Sequence, residues 1–351
     1  MCLKMLHVEC DHIPEQYPEI LRHAIDRGRL VAPRGYECLE IAPLCVSASS
    51  PRKRLFGTPG RNENPIFPYV EGLWILQGND TPDIPSHYVR QTLCYINHGT
   101  GRFDGAYGPR IRSAAGMDQL DAVYSRLLKD RDTRRAVVTI FDPRTDNCED
   151  SLDVPCTVSW QFMVRERKLD MITYMRSNDL FKGFIYDTVT FQWFQEILAG
   201  WLGVDLGKYV HFVGSAHVYR SDKAKVEGIL SDYERSSEPY SLYRTHAPQD
   251  ARLSKADFEK ELRRLLDVEQ RTREGTLLSE ETAEQIENSF LCPFYTNLAL
   301  AIAGFNAYKL GAIELSARLV DHIDNELGIL MKKYHHSKSA SKSAVAVAQH
   351  A

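Results

Sequence analysis

Apolar and polar residues alternate along this chain with two different periods, and each period predicts one kind of element. Apolar residues at helical spacing or in dense apolar runs predict helices at 14–27, 68–77, 118–129, 188–202, 222–233, 257–273 and 298–333. Residues with high strand propensity predict strands at 135–142, 157–165, 168–175 and 209–219. Together these elements predict a mixed α/β fold.

The clearest buried helix in this pattern is the segment 188–202. Its apolar residues recur at a step of four, at Val189, Trp193, Ile197 and Trp201. The strands 157–165 and 168–175 are joined by a short charged segment, which predicts a β-hairpin. These elements form the most regular part of the chain.

The outer parts of the chain are less regular. Residues 31–64 are rich in Pro, Gly, Ser and Arg, which favours strands joined by loops. Charged residues increase after about 236, and the segment 257–273 is typical of a helix with a solvated charged face. The last segment, 335–351, is rich in Ser, Ala, Lys and His, and we expect it to be disordered.

Composition and charge argue against several classes of protein. The formal net charge of −4 over 351 residues gives no general electrostatic basis for binding DNA. The sequence has no run of about 18 apolar residues that would predict a transmembrane helix, and its N-terminus lacks the apolar core of a signal peptide. The eight cysteines are scattered without a Cys-x-x-Cys pair. This pattern favours free thiols in a cytoplasmic protein and gives no metal-site motif.

Several short motifs carry chemically useful residues at spacings that agree jointly. In chain order they are Glu71 to Gly78, Gly105 to Gly108, Arg134-Arg135, Pro155-Cys156, Arg176 to Asp179 with Gly183, and His217 with Tyr219. In order and interval, this set resembles the thymidylate synthase family over roughly residues 30–225. One departure is Gly214-Ser215, where the family has Gly-Asp, and it affects a supporting hydrogen bond.

The resemblance implies a fold and an assembly. The fold is that of thymidylate synthase, an α/β (α+β) architecture with a large mixed β-sheet and packed helices. It implies one catalytic domain over 1–334, with its core at about 30–225 and a helical C-terminal extension at about 236–334. It also implies a homodimer formed through the sheet, acting on a pyrimidine nucleoside monophosphate and a folate.

The resemblance also implies catalytic roles. Cys156 adds to C6 of the pyrimidine, because sulfur is nucleophilic and leaves again readily. We expect nearby arginines to favour its thiolate. Glu71 manages protons at the edge of the base, with Tyr107 assisting. The co-substrate implied is 5,10-methylenetetrahydrofolate, and no metal is implied.

The implied substrate-binding residues include several arginines. Arg176 and Ser177 hold the 5′-phosphate, and Arg134 and Arg135 reach the phosphate of the partner subunit. Arg34 fits a loop arginine on the same phosphate, with Arg52 or Arg54 as alternatives. His217 and Tyr219, on one face of a strand, bind the sugar 3′-hydroxyl. The full implied set is Arg34, Arg134, Arg135, Arg176, Ser177, Asn178, Asp179, Asp187, His217 and Tyr219.

Asp187 bears on which pyrimidine is bound. The family usually has an asparagine there, which reads uracil. A carboxyl group accepts a hydrogen bond from the 4-amino group of cytosine and can share a proton with N3, whereas it repels O4 of uracil. Aspartate at this position resembles the cytidylate (CMP or dCMP) hydroxymethylase branch, in which water captures the exocyclic methylene. Within that branch, the chain is similar to the CMP hydroxymethylases of mildiomycin-type nucleoside-antibiotic biosynthesis.

The sequence leaves alternatives open. A methylating synthase acting on dCMP and a thymidylate synthase acting on dUMP share most of these motifs. A nucleotide-binding or RNA-binding protein without catalysis is a further alternative, which the complete set of Cys156, Arg176 and His217 argues against. The spacing of the motifs does not decide whether the sugar of the substrate is ribose or deoxyribose. It also does not decide whether the product carries a hydroxymethyl or a methyl group.

Overall fold

A computed structural model describes residues 5–147, 151, 153–236, 242–245 and 247–348. The chain divides into two compact units. The first comprises residues 1–60 and 67–239, and the second comprises residues 61–66 and 240–351. The single catalytic domain expected over 1–334 stays a prediction.

The first unit is built on one mixed sheet of eight strands. The strands are β1 (Leu6–Cys10), β2 (Arg29–Val31), β3 (Cys38–Ile41), β4 (Leu44–Ala48), β5 (Val137–Thr139), β6 (Thr157–Arg165), β7 (Lys168–Asp179) and β8 (Asp205–Tyr219). The main order is β1-β4-β8-β7-β6-β5, while β3 pairs with both β8 and β2. The expected α/β fold with a large mixed sheet is confirmed.

Helices accompany this sheet throughout the first unit. They are α1 (Ile13–Arg27), α2 (Phe67–Leu76), α3 (Asp83–Tyr88), α4 (Tyr107–Arg112), α5 (Gln119–Lys129), α6 (Pro143–Asp146), α7 (Phe184–Leu202) and α8 (Lys223–Arg235). The helices predicted from apolar spacing at 14–27, 68–77, 118–129, 188–202 and 222–233 all form, with ends shifted by a few residues. The predicted hairpin is the antiparallel pair β6 and β7.

The central helix α7 packs closely against α2 because a glycine lies at their contact. A Cβ on Gly72 would sit 2.7 Å from the ring of Trp193, which is closer than side chains approach one another. Trp193 is fully buried and also meets the ring of Tyr69 edge to face. This approach matters for function because α2 carries Glu71 and α7 carries Asp187.

Two arginines before α2 are bound to a carboxylate in the middle of α7. Arg54 Nη1 donates to Glu196 Oε2 at 2.6 Å, and Arg52 Nε donates to Glu196 Oε1 at 2.6 Å. The side chain of Glu196 is fully buried, and that of Arg54 nearly so. Buried charges persist only when they are paired and hydrogen-bonded. The pair therefore fixes the segment before α2 onto α7.

The second unit is helical. Its helices are α9 (Leu242–Thr245), α10 (Lys255–Arg273), α11 (Thr282–Glu287), α12 (Pro293–Lys309), α13 (Ile313–Asp321) and α14 (Glu326–Ala348). Most residues of α12 are buried, and it contacts α10, α13 and α14. The helical extension expected at about 236–334 corresponds to these helices. Among the residues described, no helix is long and apolar enough to cross a membrane.

Two expectations for the C-terminal part differ from the structure. The segment 298–333 forms parts of three helices, since Gly311 adopts a positive φ of 88° and ends the first of them. The tail 335–351, expected to be disordered, is helical as far as Ala348. Alanine and lysine are good helix formers, and His335 stacks on Tyr308 at a centroid distance of 4.6 Å. Residues 349–351 lie outside the described residues.

Replacing Glu196 by glutamine tests the buried ion pair. Glu196→Gln removes the charge that compensates Arg54, and breaking a buried pair in this way costs about 3–5 kcal/mol. The matched control is Glu227→Gln on α8, whose pair with Lys223 is about half exposed and is worth about 0–1 kcal/mol. Urea unfolding of both variants measures the two losses, and equal losses would contradict the proposed role of Glu196.

Candidate active site

Cys156 lies at the entry to β6, directly beside Arg176 on β7. The backbone N–H of Arg176 donates to the carbonyl oxygen of Cys156 at 2.8 Å. The Arg176 side chain returns to the same segment, since its Nε donates to Pro155 O at 2.9 Å and its Nη2 to Val154 O at 2.8 Å. Nη2 is also 4.0 Å from the Cys156 sulfur. The guanidinium is therefore held against the thiol by the loop that carries it.

The thiol of Cys156 is protonated in this site at neutral pH. Burial raises the pKa of Cys156 to about 11, against the lowering effects of Arg176 and Arg34 and together with the raising effects of Asp187 and Asp153. The arginines act in the expected direction and favour the thiolate, but desolvation outweighs them and the pKa rises. Attack by the sulfur therefore has to be coupled to loss of its proton.

Asp187 occupies the first turn of α7 and is bound by a side chain from β7. Asn178 Nδ2 donates to Asp187 Oδ2 at 2.7 Å. Gly183 lies beside this bond, and a Cβ there would be 3.2 Å from both of the bonded atoms. The glycine therefore leaves the space in which the amide and the carboxyl meet.

Two carboxyl groups lie close together where α2 meets α7. Burial, followed by the charge of Asp187, raises the pKa of Glu71 to about 8. Burial raises the pKa of Asp187 to about 7, with Asn178 lowering it and Asp179 raising it. Glu71 is therefore mainly protonated at pH 7, and Asp187 is near its midpoint. Groups that titrate near the working pH are suited to proton transfer.

Tyr107, at the start of α4, reaches the strand that follows the nucleophile. Its hydroxyl oxygen accepts hydrogen bonds from Thr157 N at 3.2 Å and from Thr157 Oγ1 at 3.0 Å. Burial raises the pKa of Tyr107 well above its ordinary value, so the group remains a phenol. The Gly105 N–H donates to Asp153 Oδ2 at 2.8 Å and joins this loop to the segment before Cys156.

A second polar group lies at the C-terminal ends of β7 and β8. Asp179 pairs in register with His217, and the ring of His217 meets that of Tyr219 edge to face at 5.0 Å. Asp179 Oδ1 accepts from the backbone N–H groups of Phe181 and Lys182 at 2.9 and 3.0 Å. Burial raises the pKa of Asp179. These side chains stand within one short stretch of two neighbouring strands.

The departure at Ser215 has a structural counterpart on β3. Ser215 Oγ donates to Glu40 Oε1 at 2.5 Å, and Glu40 pairs in register with His217. The carboxylate that the family supplies on β8 is thus present on the adjacent strand. Ser177 lies opposite Ser215 on β7.

Apart from Arg176, the arginines named from the sequence lie at three places: in a loop (Arg34), on Glu196 (Arg52 and Arg54) and before β5 (Arg134 and Arg135). Arg34 lies in the loop before β3 and adopts a left-handed conformation with φ 54°. Burial has the largest effect on the pKa of Cys156 and raises it, while the charge of Arg34 lowers it. Arg52 and Arg54 are bound to Glu196. Of Arg34, Arg52 and Arg54, Arg34 is the one whose charge acts on the Cys156 thiol, and its expected role on the phosphate stays a prediction.

Arg134 and Arg135 stand apart from this cluster. Both are exposed just before β5, at the end of the sheet order, and Gln161 Nε2 donates to the Arg134 carbonyl at 3.0 Å. The structure does not bring them to Cys156 of the same chain. Their expected role across a dimer stays a prediction.

Sequence reasoning missed three residues of the site. Tyr95 lies within electrostatic range of Cys156, Asp179 and Tyr219, and burial raises its pKa to about 12. Tyr209 and His211 extend the hydrogen bonds of Asn178 into the core. The alternation along β8 places Tyr209 and His211 on one face, which was an available signal, whereas Tyr95 carries none.

The raised pKa of Asp187 predicts how stability depends on pH. Between its ordinary value of 3.8 and about 7, the folded state binds a proton that the unfolded state does not, so the free energy of unfolding falls as pH rises through this window. Asp187→Asn removes this dependence. We expect the variant to gain more than about 1 kcal/mol relative to the original chain between pH 5 and pH 8.

Denaturant unfolding at the two pH values measures this gain. Glu71→Gln should show the same sign over a window that extends to about pH 8. A difference between the variants and the original chain that stays constant with pH would contradict the burial of both acids.

Comparison with known proteins agrees with this geometry. The thymidylate synthase family model matches residues 69–261. The chain is 37% identical over 218 residues to a deoxyuridylate hydroxymethyltransferase of Bacillus phage SP01, covering 59% of this chain and 57% of the phage protein. It is 30% identical over 194 residues to one of Delftia phage PhiW-14, covering 52% and 53%.

A putative thymidylate synthase of Methanothermobacter marburgensis is 29% identical over 126 residues, covering 36% of this chain and 56% of the archaeal protein. The chain thus spans about half the length of the curated relatives that it matches. The family match covers more than half of the chain and includes Cys156, Arg176, Asp187 and His217. The chain belongs to the thymidylate synthase family.

Proposed function

We propose that the protein hydroxymethylates cytidylate at C5. The proposed substrate is CMP, and its deoxyribose form, dCMP, is to be tested beside it. The family and its phage relatives support one-carbon transfer to a pyrimidine nucleotide. The observation that carries the choice of base is Asp187, a half-buried carboxyl where the family usually has an asparagine. The mildiomycin-type CMP hydroxymethylases are the biosynthetic class that this proposal matches.

Asp187 selects the base through the proton it holds. With its pKa near 7, the carboxyl can accept from the 4-amino group of cytosine while sharing a proton with N3. Cytosine N3 is basic and takes part in this sharing, whereas O4 of uracil is a weak base and meets the ionised carboxyl with repulsion. A site built for one such pattern discriminates by about 10²–10⁵ against a mismatched base. Protonation at N3 also makes C6 more electrophilic.

The chain's own residues supply the remaining chemistry. The Cys156 sulfur bonds to C6 as its proton is lost, and C5 becomes nucleophilic. The co-substrate 5,10-methylenetetrahydrofolate supplies the one-carbon unit. Glu71, protonated at neutral pH, fits the transfer of protons at the base edge, with the Tyr107 phenol beside it. C5 takes up the one-carbon unit and then loses its proton as the bond from that carbon to the nitrogen of tetrahydrofolate breaks, which leaves an exocyclic methylene. Water adds to this methylene, and the sulfur leaves C6 as the C5=C6 double bond re-forms.

Deoxyuridylate is the second candidate substrate. The names of the two phage relatives favour it, and both describe hydroxymethyl transfer. A protonated Asp187 can donate to O4 of uracil and accept from N3–H, so this reading predicts turnover that depends on the acid form. Both candidate reactions use Cys156 and Glu71. They differ in the hydrogen bonds that Asp187 makes with the edge of the base.

Incubation with methylenetetrahydrofolate and CMP, dCMP or dUMP in turn tests the proposal. We expect CMP to gain the mass of CH₂O, with tetrahydrofolate as the second product. Asp187→Asn should shift the ratio of kcat/KM for CMP to that for dUMP by at least about 100-fold towards dUMP. A gain of CH₂ with release of dihydrofolate would identify a methylating enzyme instead.

Cys156→Ala is the control for covalent catalysis, and it should abolish tritium release from C5. Preferred turnover of dUMP by the original chain, with little effect of Asp187→Asn, would contradict the choice of cytosine.

We further propose that the active enzyme is a homodimer in which Arg134 and Arg135 bind the phosphate held by the partner. Both are exposed, and they precede β5, whose residues pair with Ser159 to Gln161, further along β6 than Cys156. A closed two-fold arrangement would give each subunit's arginines to the other's site.

Subunit mixing tests this arrangement. Cys156→Ala and the double variant Arg134→Ala with Arg135→Ala should each be nearly inactive. When the two variants are unfolded and refolded together, about half of the dimers are heterodimers, and each heterodimer has one intact site of its two. The mixture should therefore recover about a quarter of the original activity. Mixtures that stay inactive, although heterodimers form by mass analysis, would place the arginines in the site of their own chain.

A further inference from the structure

Three buried side chains extend from Asp187 into the core of the first unit. Asn178 Nδ2 donates to Asp187 Oδ2 at 2.7 Å, Asn178 Oδ1 is 3.0 Å from His211 Nε2, and His211 Nδ1 is 2.8 Å from the Tyr209 hydroxyl. His211 is fully buried, as is Tyr209, and Asn178 is 3% exposed. Tyr209 and His211 have no part in the steps above.

The direction of each hydrogen bond in this chain follows from its chemistry. An amide oxygen only accepts, so His211 Nε2 carries the proton and donates to Asn178 Oδ1. Burial lowers the pKa of His211 to about 3, so the ring is neutral and its Nδ1 has to accept from Tyr209. The ring is held in place by Phe184, which meets it edge to face at 5.3 Å. The Asn178 NH₂ group is therefore fixed towards Asp187.

This orientation determines which carboxyl oxygen carries the proton. Because Asp187 Oδ2 accepts from Asn178, a proton on the carboxyl is favoured on Oδ1. If the amide turned over, Asn178 Oδ1 would face Asp187 Oδ2 and draw the proton to it. Where Oδ1 faces N3 of the base, cytosine would then lose the proton shared with its basic N3. Uracil would instead find in Oδ1 an acceptor for its N3–H and in the proton on Oδ2 a donor for its O4. The orientation of one amide therefore affects cytosine more than uracil.

We propose that Tyr209, His211 and Asn178 are positioning residues that hold the Asp187 proton at the substrate side and so favour cytosine over uracil. That the effect favours cytosine over uracil, and not the reverse, rests on the proposed function. The fixed Asn178 N–H also opposes the rise in the Asp187 pKa that burial causes. The charged and titratable groups around Asp187 that bear on its titration are Glu71, Tyr107, Cys156, Asp179 and Tyr209.

A pair of variants at His211 tests the proposal. His211→Phe keeps a planar ring between its aromatic neighbours and removes the donor to Asn178. His211→Gln keeps an N–H donor. Removing the partner that orients a metal-binding side chain costs about 10–100-fold in affinity or activity, and we expect an effect on that scale here. We expect His211→Phe to lower the ratio of kcat/KM for CMP to that for dUMP by about 10-fold or more, and His211→Gln to retain most of it.

The pH dependence of kcat/KM separates positioning from loss of structure. His211→Phe should move the apparent midpoint near pH 7 upward, since Asp187 loses the fixed donor that opposes protonation. Where His211→Phe does not fold, Tyr209→Phe removes a single hydroxyl, and both the ratio and the midpoint should shift in the same directions. Equal losses for both nucleotides, with an unchanged midpoint, would overturn the proposal.

Failure of the proposed function would look different from failure of this inference. If the original chain turns over dUMP and not CMP, the choice of cytosine is wrong. The positioning role is then judged by the midpoint alone, and an unchanged midpoint in a folded His211→Phe variant overturns it whichever base is used.

Discussion

The close packing of α2 on α7 is the constraint on which the site depends. Gly72 allows the backbone of α2 to approach Trp193, and this approach brings Glu71 near Asp187. The buried pair of Arg54 and Glu196 fixes the preceding segment to the same helix. A single buried helix thus carries Asp187 at its start and the paired carboxylate of Glu196 at its middle.

The same burial that holds the helices together shifts the pKa values of the candidate site. Two carboxyls and a thiol are desolvated within one region, and each is shifted towards its neutral form. The two carboxyls destabilise the fold at neutral pH, because the unfolded chain would ionise them, so stability and the proposed function make opposite demands here. Hydrophobic packing elsewhere in the unit offsets this cost. Binding a nucleotide that shares the Asp187 proton would relieve part of it.

The sequence predicted the elements with strong periodicity and the residues with motif spacing. The β6–β7 hairpin and α7 are set by local pattern, and Cys156 and Arg176 are brought together by backbone pairing along that hairpin. Burial is a tertiary property, so the high pKa of Cys156 was not visible in a motif. His211 was also missed, because its partner Asn178 lies 33 positions away and only the β7–β8 pairing brings the strands together. The terminal helix shows the reverse case, in which helix propensity outweighed a composition typical of disorder.

On the proposed function, the choice of base depends on a chain of groups and not on Asp187 alone. A carboxyl at position 187 alone is compatible with cytosine when it shares a proton with N3 and with uracil when it donates to O4. The two cases differ in which oxygen of the carboxyl carries the proton, and that depends on the hydrogen-bond donor to Asp187 Oδ2. Asn178 can supply that donor only while His211 holds its carbonyl end. An asparagine-to-aspartate change at this position would therefore alter specificity fully only where the neighbouring strands provide such a relay.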